Sequence, residues 1–316
     1  MEQRYAIGVD LGGTTVKTGL ISESGEIVFQ TKLPTLAEQN PEAIISQIKK
    51  TIHDALQAAR GKHLAGIGIA SAGIIENPGG IVKSPPNFKG WESIPLGKEM
   101  EKEFGMDVVV DNDANAAAVA ESKFGAGKEY PNFLFVIWGT GVGGGIILNN
   151  HIYRGQFGGA GEVGHISIDY KGLQCNCGSI GCVEAYVGQK YLSKRTIEKL
   201  QHHPESSLHK IVGGNLSALE PIHLSQAAEA GDEFSRNVLL EAGQLLGVAI
   251  ASVMNMLDLR VTVIGGGVSA VGDFVYNEII ATTKKYVLTP LRPGITVLRA
   301  KLGNDAGMLG AAGLVL

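Results

Sequence analysis

Runs of β-forming residues separated by glycine-rich breaks open the chain. Tyr5 to Val9 is one such run, ending in Asp10; Val16 to Ile21 is a second and Glu26 to Lys32 a third. Leu11-Gly12-Gly13-Thr14-Thr15 and then Ser24-Gly25 separate them, which predicts a strand, a Gly-Thr hairpin, a strand, a tight turn and a strand. The period then changes. Ile44, Ile45, Ile48, Ile52, Leu56 and Ala59 recur at helical spacing behind Asn40-Pro41, a capping residue with proline at the first helical position. Ala65 to Ala70 and Val108 to Val110 are continuous apolar runs of the kind buried on both faces. The second leads through Asp111-Asn112-Asp113 into an alanine-rich helix, Ala114 to Phe124.

The opening order recurs. Phe133 to Trp138 reads as a strand, Gly139-Thr140-Gly141-Val142-Gly143-Gly144-Gly145 as a Gly/Thr turn, Ile146 to Leu148 as a strand, Asn149-Asn150 as a tight turn and His151 to Tyr153 as a third strand. Such self-similarity predicts internal duplication of a β-β-β-then-helix unit, and hence two similar domains presenting glycine-rich hairpins to a shared cleft. Further on, Val261 to Ile264 reads as a buried strand, Gly265-Gly266-Gly267 as a turn, and Ser269 as the cap of a helix through Tyr286. Asp305 to Leu316 reads as a small-residue apolar helix. Val238 to Leu259 is long and largely apolar, but Glu241, Gln244, Asn255 and Asp258 interrupt it, so a buried core helix is expected there and not a membrane span.

A length of 316 residues exceeds the usual size of one core, in keeping with two domains. A net charge of −4 without any Lys/Arg run argues against nucleic acid as a partner. The N-terminus shows no export leader and the 3 cysteines form no disulfide framework, so a cytoplasmic protein is expected. Those cysteines change the picture in another way: Cys175, Cys177 and Cys182 fall in one short window, with His165 ten residues upstream of the first. Three thiolates and an imidazole are the ligand set of a closed, structural zinc site. Unmetallated thiols in a glycine-rich turn, or a redox-active Cys-x-Cys pair, are the alternatives. Glu162 and Glu184 bracket the cluster, where a zinc-held loop would present them rigidly to a polyhydroxylated ligand.

Glycine-rich hairpins with threonines offer backbone amides and hydroxyls to phosphate oxygens, so the two turns, Gly12-Gly13-Thr14-Thr15 among them, predict a polyphosphate ligand. The sequence holds no Walker A motif. Gly139, Gly141 and Gly144 fit Gly-x-Gly-x-x-Gly, but a hairpin strand follows where a dinucleotide fold needs a helix. Asp10, at the end of the first strand, stands where a carboxylate would meet Mg²⁺ on those phosphates. Lys17 reads as a solvated charge. Asp113, at a strand-to-helix junction, suits either a helix cap or a general base acting on a sugar hydroxyl.

The segments AIGVDLGGTTVKTGLI, VVVDNDANAAAVAE, WGTGVGGGIIL, GEVGHISID with CNCGSIGCVEAY, and VIGGGVS resemble the ROK family, most closely its glucokinase-type sugar kinases, over nearly the whole chain. That resemblance implies an α/β, actin-like (ribonuclease H-like) two-domain ATPase fold with a central cleft. It further implies transfer of the ATP γ-phosphoryl group to a hexose, and a homodimer. By matching position, Asp113 resembles the catalytic base; Asn87, Asn112, Glu162, His165 and Glu184 resemble sugar ligands, His165 bonding zinc through its other nitrogen. Gly12, Thr14, Thr140 and Gly141 resemble phosphate binders, and Gly266 and Gly267 the adenosine contact. This chain carries Ala72-Gly73 where many relatives have Pro-Gly. The expected smaller domain is residues 1–112 with the C-terminal helix from about 303, and 113–302 form the larger. ATP, Mg²⁺ and a structural zinc ion are the expected cofactors and glucose the leading substrate, with N-acetylmannosamine or fructose as alternatives. The family also holds sugar-responsive regulators, whose helix-turn-helix precedes the first strand; nine residues precede Asp10 here, which disfavours that reading.

Overall fold

A computed structural model describes residues 3–316. β1 (Arg4–Leu11), β2 (Thr15–Ser22) and β3 (Ile27–Pro34) form an antiparallel meander, and α1 (Pro41–Ala58) follows, its start fixed by the Asn40 side chain accepting the Ala43 amide. Ile44, Ile45, Ile48 and Ile52 of α1 are buried in one core with Ile7, Val9 and Leu20, as their spacing predicts. β4 (His63–Ser71), a small sheet of β5 (Ile74–Glu76), β6 (Ile81–Lys83) and β7 (Ser93–Ile94), α2 (Leu96–Phe104), β8 (Val108–Asn112) and α3 (Asp113–Phe124) come next.

The pattern then starts again with β9 (Phe133–Trp138), β10 (Val142–Leu148) and β11 (His151–Tyr153), and Asn149 and Asn150 turn the chain with φ of 52° and 64°. Between β11 and the next strand lie the histidine–cysteine loop and five helices: α4 (Glu184–Val187), α5 (Gln189–Leu200), α6 (Leu208–Ile211), α7 (Pro221–Glu229) and α8 (Glu233–Leu257). β12 (Val261–Gly265), α9 (Asp273–Tyr286), β13 (Thr296–Arg299) and α10 (Ala306–Gly313) complete the chain. The long apolar α8 has the length and composition of a membrane span; in the fold most of it is buried, and Gly243 and Gly247 let α9 pack directly on its backbone.

Two five-stranded sheets result, ordered β3-β2-β1-β4-β8 and β11-β10-β9-β12-β13. In both, the first strand of the meander pairs in parallel with the strand beyond it, β1 with β4 and β9 with β12, and that strand pairs in parallel with the edge strand, β8 or β13. The duplication read from the sequence is therefore a duplication of topology. The chain divides into two compact units. One holds the described residues through Asn132 with Gly145–Gly161 and Ala300–Leu316; the other holds Phe133–Gly144 and Glu162–Arg299.

This division differs from a boundary at 112/113, because α3 stays with the first unit. The reason lies in α10, whose sequence AGMLGAAG is glycine and alanine apart from Met308 and Leu309. Gly8 of β1, Gly68 of β4 and Gly310 of α10 let its backbone lie flush against both strands and α3: a Cβ on Gly8 or Gly68 would overlap the carbonyl oxygen of Met308 or Ala311, and one on Gly310 that of Ala116. Glu121 of α3 closes the arrangement from inside. Fully buried, it accepts the amides of Lys301 and Leu302 on one oxygen (2.8 and 2.9 Å) and of Ala126 on the other (2.7 Å). Two boundaries move with local chemistry. The Ser269 hydroxyl turns back onto the Gly266 carbonyl (2.6 Å) instead of capping a helix, so α9 starts only at Asp273. At the C-terminus a short 3-10 turn takes up Gly303–Asp305, and α10 begins after it.

Candidate active site

In the first unit the candidate residues gather at the ends of β1 and β8 and the start of α10. Asp10 of β1 sits opposite Lys17 of β2 in register, and its carboxylate rests against Gly307, where any Cβ would crowd it. Burial raises the Asp10 pKa from 3.8 to about 6; Lys17 opposes the rise, and the negative charges of Asp113 and Asp305 add to it. Lys17 is thus not a free solvated charge: its Nζ also donates to the Asn304 carbonyl (2.9 Å). Asp305 had no local signal in the sequence and enters only because α10 delivers it. In the first glycine-rich turn Gly12 bonds Thr15 across the loop (N···O 3.1 Å), and the Thr35 hydroxyl donates to the Gly12 carbonyl (2.6 Å). The Asn87 side chain lies against Gly13, and an open groove of about 580 Å³ is lined by Gly13, Thr14, Glu38, Asn87 and Lys89.

Asp113 opens α3, but the cap is Asn112, whose Oδ1 accepts the amides of Ala114 (2.9 Å) and Asn115 (3.4 Å). The capping explanation of Asp113 is thereby removed, although its own Oδ1 also takes the Ala114 amide (2.9 Å). Asp113 is open to solvent, yet the protein crowded around it displaces enough water to push its pKa above the usual carboxylate range; the Ala114 amide pulls the other way. Asn112 spends one amide hydrogen on the Gly73 carbonyl (3.0 Å), which leaves it one N–H to offer. Beneath both residues lies a pair the sequence did not single out: buried Asp111 accepts Arg154 Nε (2.7 Å) on one oxygen and Asn115 Nδ2 (2.9 Å) and its neighbour's amide (2.8 Å) on the other.

The second unit holds the other set. The turn after β9 runs from Gly139 to Gly141, and β10 takes over at Val142, earlier than the glycines suggest. Gly266 has φ of 93° and backs onto the Trp138 carbonyl, and Gly139 and Gly267 approach each other, so the two glycine-rich turns of this unit are neighbours. Glu184, first residue of α4, accepts the Val142 amide on Oε2 (2.9 Å), and its Oε1 lies 3.8 Å from Cys175 Sγ.

His165, Cys175, Cys177 and Cys182 converge, their donor atoms all within 4.8 Å of one another. A zinc–sulfur bond of about 2.3 Å gives a tetrahedral edge of about 3.8 Å; Cys177 and Cys182 sulfurs are 3.7 Å apart, and Cys175 Sγ is 3.9 Å from His165 Nδ1. The three cysteines are unbridged, and the donor set fits zinc. An amide hydrogen bond from Ser179 brings the Cys177 thiol down to about 7, while burial pushes the Cys175 thiol up and that of Cys182 up to about 12. His165 turns Nδ1 to the thiols and Nε2 toward Glu162, 3.9 Å from its Oε2. Two tyrosines missed in the sequence hold this loop: the hydroxyls of Tyr186 and Tyr191 accept the amides of Leu173 (2.9 Å) and Asn176 (3.0 Å). Every residue expected from the sequence thus falls in one of two sets. Asp10, Gly12, Gly13, Thr14, Thr15, Asn87, Asn112 and Asp113 lie in the first unit, and Thr140, Gly141, Glu162, His165, Glu184, Gly266, Gly267 and the cysteines in the second.

The ROK family model matches residues 6–316. A glucokinase of Thermotoga maritima is 34% identical over 315 residues, covering 100% of this chain and 98% of its own length, and one of Streptomyces coelicolor is 38% identical over 312 residues, covering 98% and 96%. Among solved structures, a ROK family glucokinase from Streptomyces griseus in complex with glucose and AMPPNP superposes with a TM-score of 0.81 at 35% identity, covering 98% of each chain.

Proposed function

The chain belongs to the ROK family, and on that premise we propose the following reading. The protein is an ATP-dependent glucose kinase, Asp113 is its general base, and the γ-phosphoryl group goes to the 6-hydroxyl. The relatives over the full length, and the glucose and ATP analogue bound by the Streptomyces griseus protein, support the activity. One observation carries the assignment of the base: Asn112 caps α3, so Asp113 is left as an accessible carboxylate whose surroundings make it more basic than usual. A general base works best when its pKa lies near the working pH, and an upward shift moves a carboxylate that way.

The roles divide by chemistry. Glu162, His165, Glu184, Asn87 and Asn112 supply acceptors and donors for the ring hydroxyls. A ring hydroxyl held by two carboxylates is not free to attack in line, whereas the exocyclic 6-hydroxyl reaches beyond the ring toward Asp113. The amides and hydroxyls of Gly12 to Thr15, with Thr140 and Gly141, bind the phosphates, and Gly266 and Gly267 meet the adenosine. Asp10, buried and flanked by Lys17 as well as by the negative charges of Asp113 and Asp305, is the carboxylate that would hold Mg²⁺, which would neutralise phosphate charge. His165, Cys175, Cys177 and Cys182 would hold a zinc ion that cross-links the loop carrying the sugar ligands. A cytoplasmic homodimer is the assembly we expect.

Asp113→Asn tests the base. The amide keeps the shape and one acceptor, so glucose binding should survive, while turnover falls by roughly 10²- to 10⁴-fold. Wild-type turnover in this variant would remove Asp113 from the chemistry.

A further inference from the structure

Val142 follows Gly141 in the second glycine-rich turn, and two segments assigned to the sugar grip it. Glu184 Oε2 accepts its amide at 2.9 Å. Gly164, of the Gly-His pair that carries His165, lies against its carbonyl oxygen so closely that a Cβ there would overlap it. Gly141 is needed for the first contact, since a methyl group at that position would overlap Glu184 Oε2. Two more hydrogen bonds tie the same segments: the Gln189 amide donates to the Gly139 carbonyl (3.0 Å), and the buried Trp138 indole to the Val187 carbonyl (2.8 Å). The turn is therefore fastened to α4 and the start of α5. Glu184 provides the only side chain in this set that bonds the turn's backbone beyond Gly139.

We propose that Glu184 is a positioning residue for the nucleotide as well as a sugar ligand. Its Oε2 fixes the backbone of Thr140–Val142 in a phosphate-binding shape, while Oε1, 3.8 Å from Cys175 Sγ, takes no part in that bond. Gly139 and Gly141 have wide conformational freedom, and a turn left loose must be ordered by the nucleotide itself at a cost in affinity. A hydrogen bond to an ionised carboxylate is among the stronger kinds, so one such bond is enough to hold a short turn. The inference rests on the reading of the Gly139–Gly141 turn as a phosphate site.

The test is direct binding of AMPPNP without sugar, by calorimetry, to the wild type, Glu184→Gln, Glu184→Ala and Thr140→Ala. Glutamine keeps a carbonyl acceptor for Val142 and alanine does not. Glu184→Ala should bind nucleotide about tenfold more weakly and Glu184→Gln within about threefold of wild type, the loss expected for one charge-assisted hydrogen bond and its rescue. Nucleotide binding by Glu184→Ala at wild-type strength, with Thr140→Ala weakened, would overturn the inference and leave the phosphate reading standing. If neither variant is weakened, both fall. Should Glu184→Ala not fold, Gly141→Ala displaces the same carboxylate. It should raise KM for glucose as well as ATP, and an unchanged glucose KM would count against the proposal.

Discussion

Replacing Asp10 with asparagine should make the metal-free protein more stable at neutral pH while harming its activity. The magnitude follows from the raised pKa. Burial, Asp113 and Asp305 lift Asp10 from 3.8 to about 6 in spite of Lys17, so the fold disfavours the charged form by about 2 pKa units. At 1.36 kcal/mol per unit that is about 3 kcal/mol, an upper figure; screening of a carboxylate that keeps some solvent contact reduces it to roughly 1–3 kcal/mol. The sign follows from which state binds the proton more tightly. Below pH 3.8 Asp10 is protonated in folded and unfolded chains alike, and its ionisation costs nothing. As pH rises from 3.8 to about 6 the unfolded chain releases the proton first, and stability is lost; above about 6 the whole cost is present. Asparagine fits against Gly307 without the charge. Urea unfolding in EDTA should therefore show wild type and Asp10→Asn alike near pH 4 and the variant more stable by roughly 1–3 kcal/mol at pH 8. Adding Mg²⁺ and ATP should narrow the gap by stabilising only the wild type. A variant less stable than wild type at pH 8, or a difference independent of pH, would refute the reasoning.

Asp232 offers the opposite case. Burial opposes its ionisation, but hydrogen bonds from Ser235, Ser206 and Ser207 outweigh that and hold its pKa at about 2, so its stabilisation is complete above the usual 3.8 and lost as pH falls toward 2. Asp232→Ala should cost about 1–2 kcal/mol in urea unfolding at pH 7, as the loss of a helix cap does, and almost nothing near pH 2. For the metal cluster, elemental analysis should find about one zinc per chain. Cys177→Ala should lose most of it and raise the glucose KM far more than the ATP KM; a metal-free wild type with full activity would remove zinc from the account.

Much of this architecture was legible because its signals are local. Asn40-Pro41 starts α1, Asn149-Asn150 turns β10 into β11, and two Gly-Thr turns between β-rich runs show the duplication. The histidine–cysteine cluster was legible for the same reason, its ligands lying within one short stretch. What the sequence hid depends on chain segments far apart. Asp305 and Gly307 reach Asp10 only because glycines at 8, 68 and 310 let α10 settle on the strands and α3. Nothing in Lys17's own neighbourhood announces its bond to Asn304, nor in Arg154's its bond to Asp111. Ser269 misled because a serine before a helix can satisfy the nearer carbonyl of Gly266 instead, and Asp113 stayed ambiguous until Asn112 was seen to occupy the cap.

The central claim is tested most directly by ADP release with ATP and Mg²⁺ across glucose, 6-deoxyglucose, fructose, mannose and N-acetylmannosamine, with the phosphorylated product identified by ³¹P NMR. Glucose should give the highest kcat/KM and yield glucose 6-phosphate in step with ADP, and 6-deoxyglucose should inhibit competitively without being phosphorylated. ADP release with another sugar but not with glucose, or a phosphorylated 6-deoxyglucose, would contradict the account.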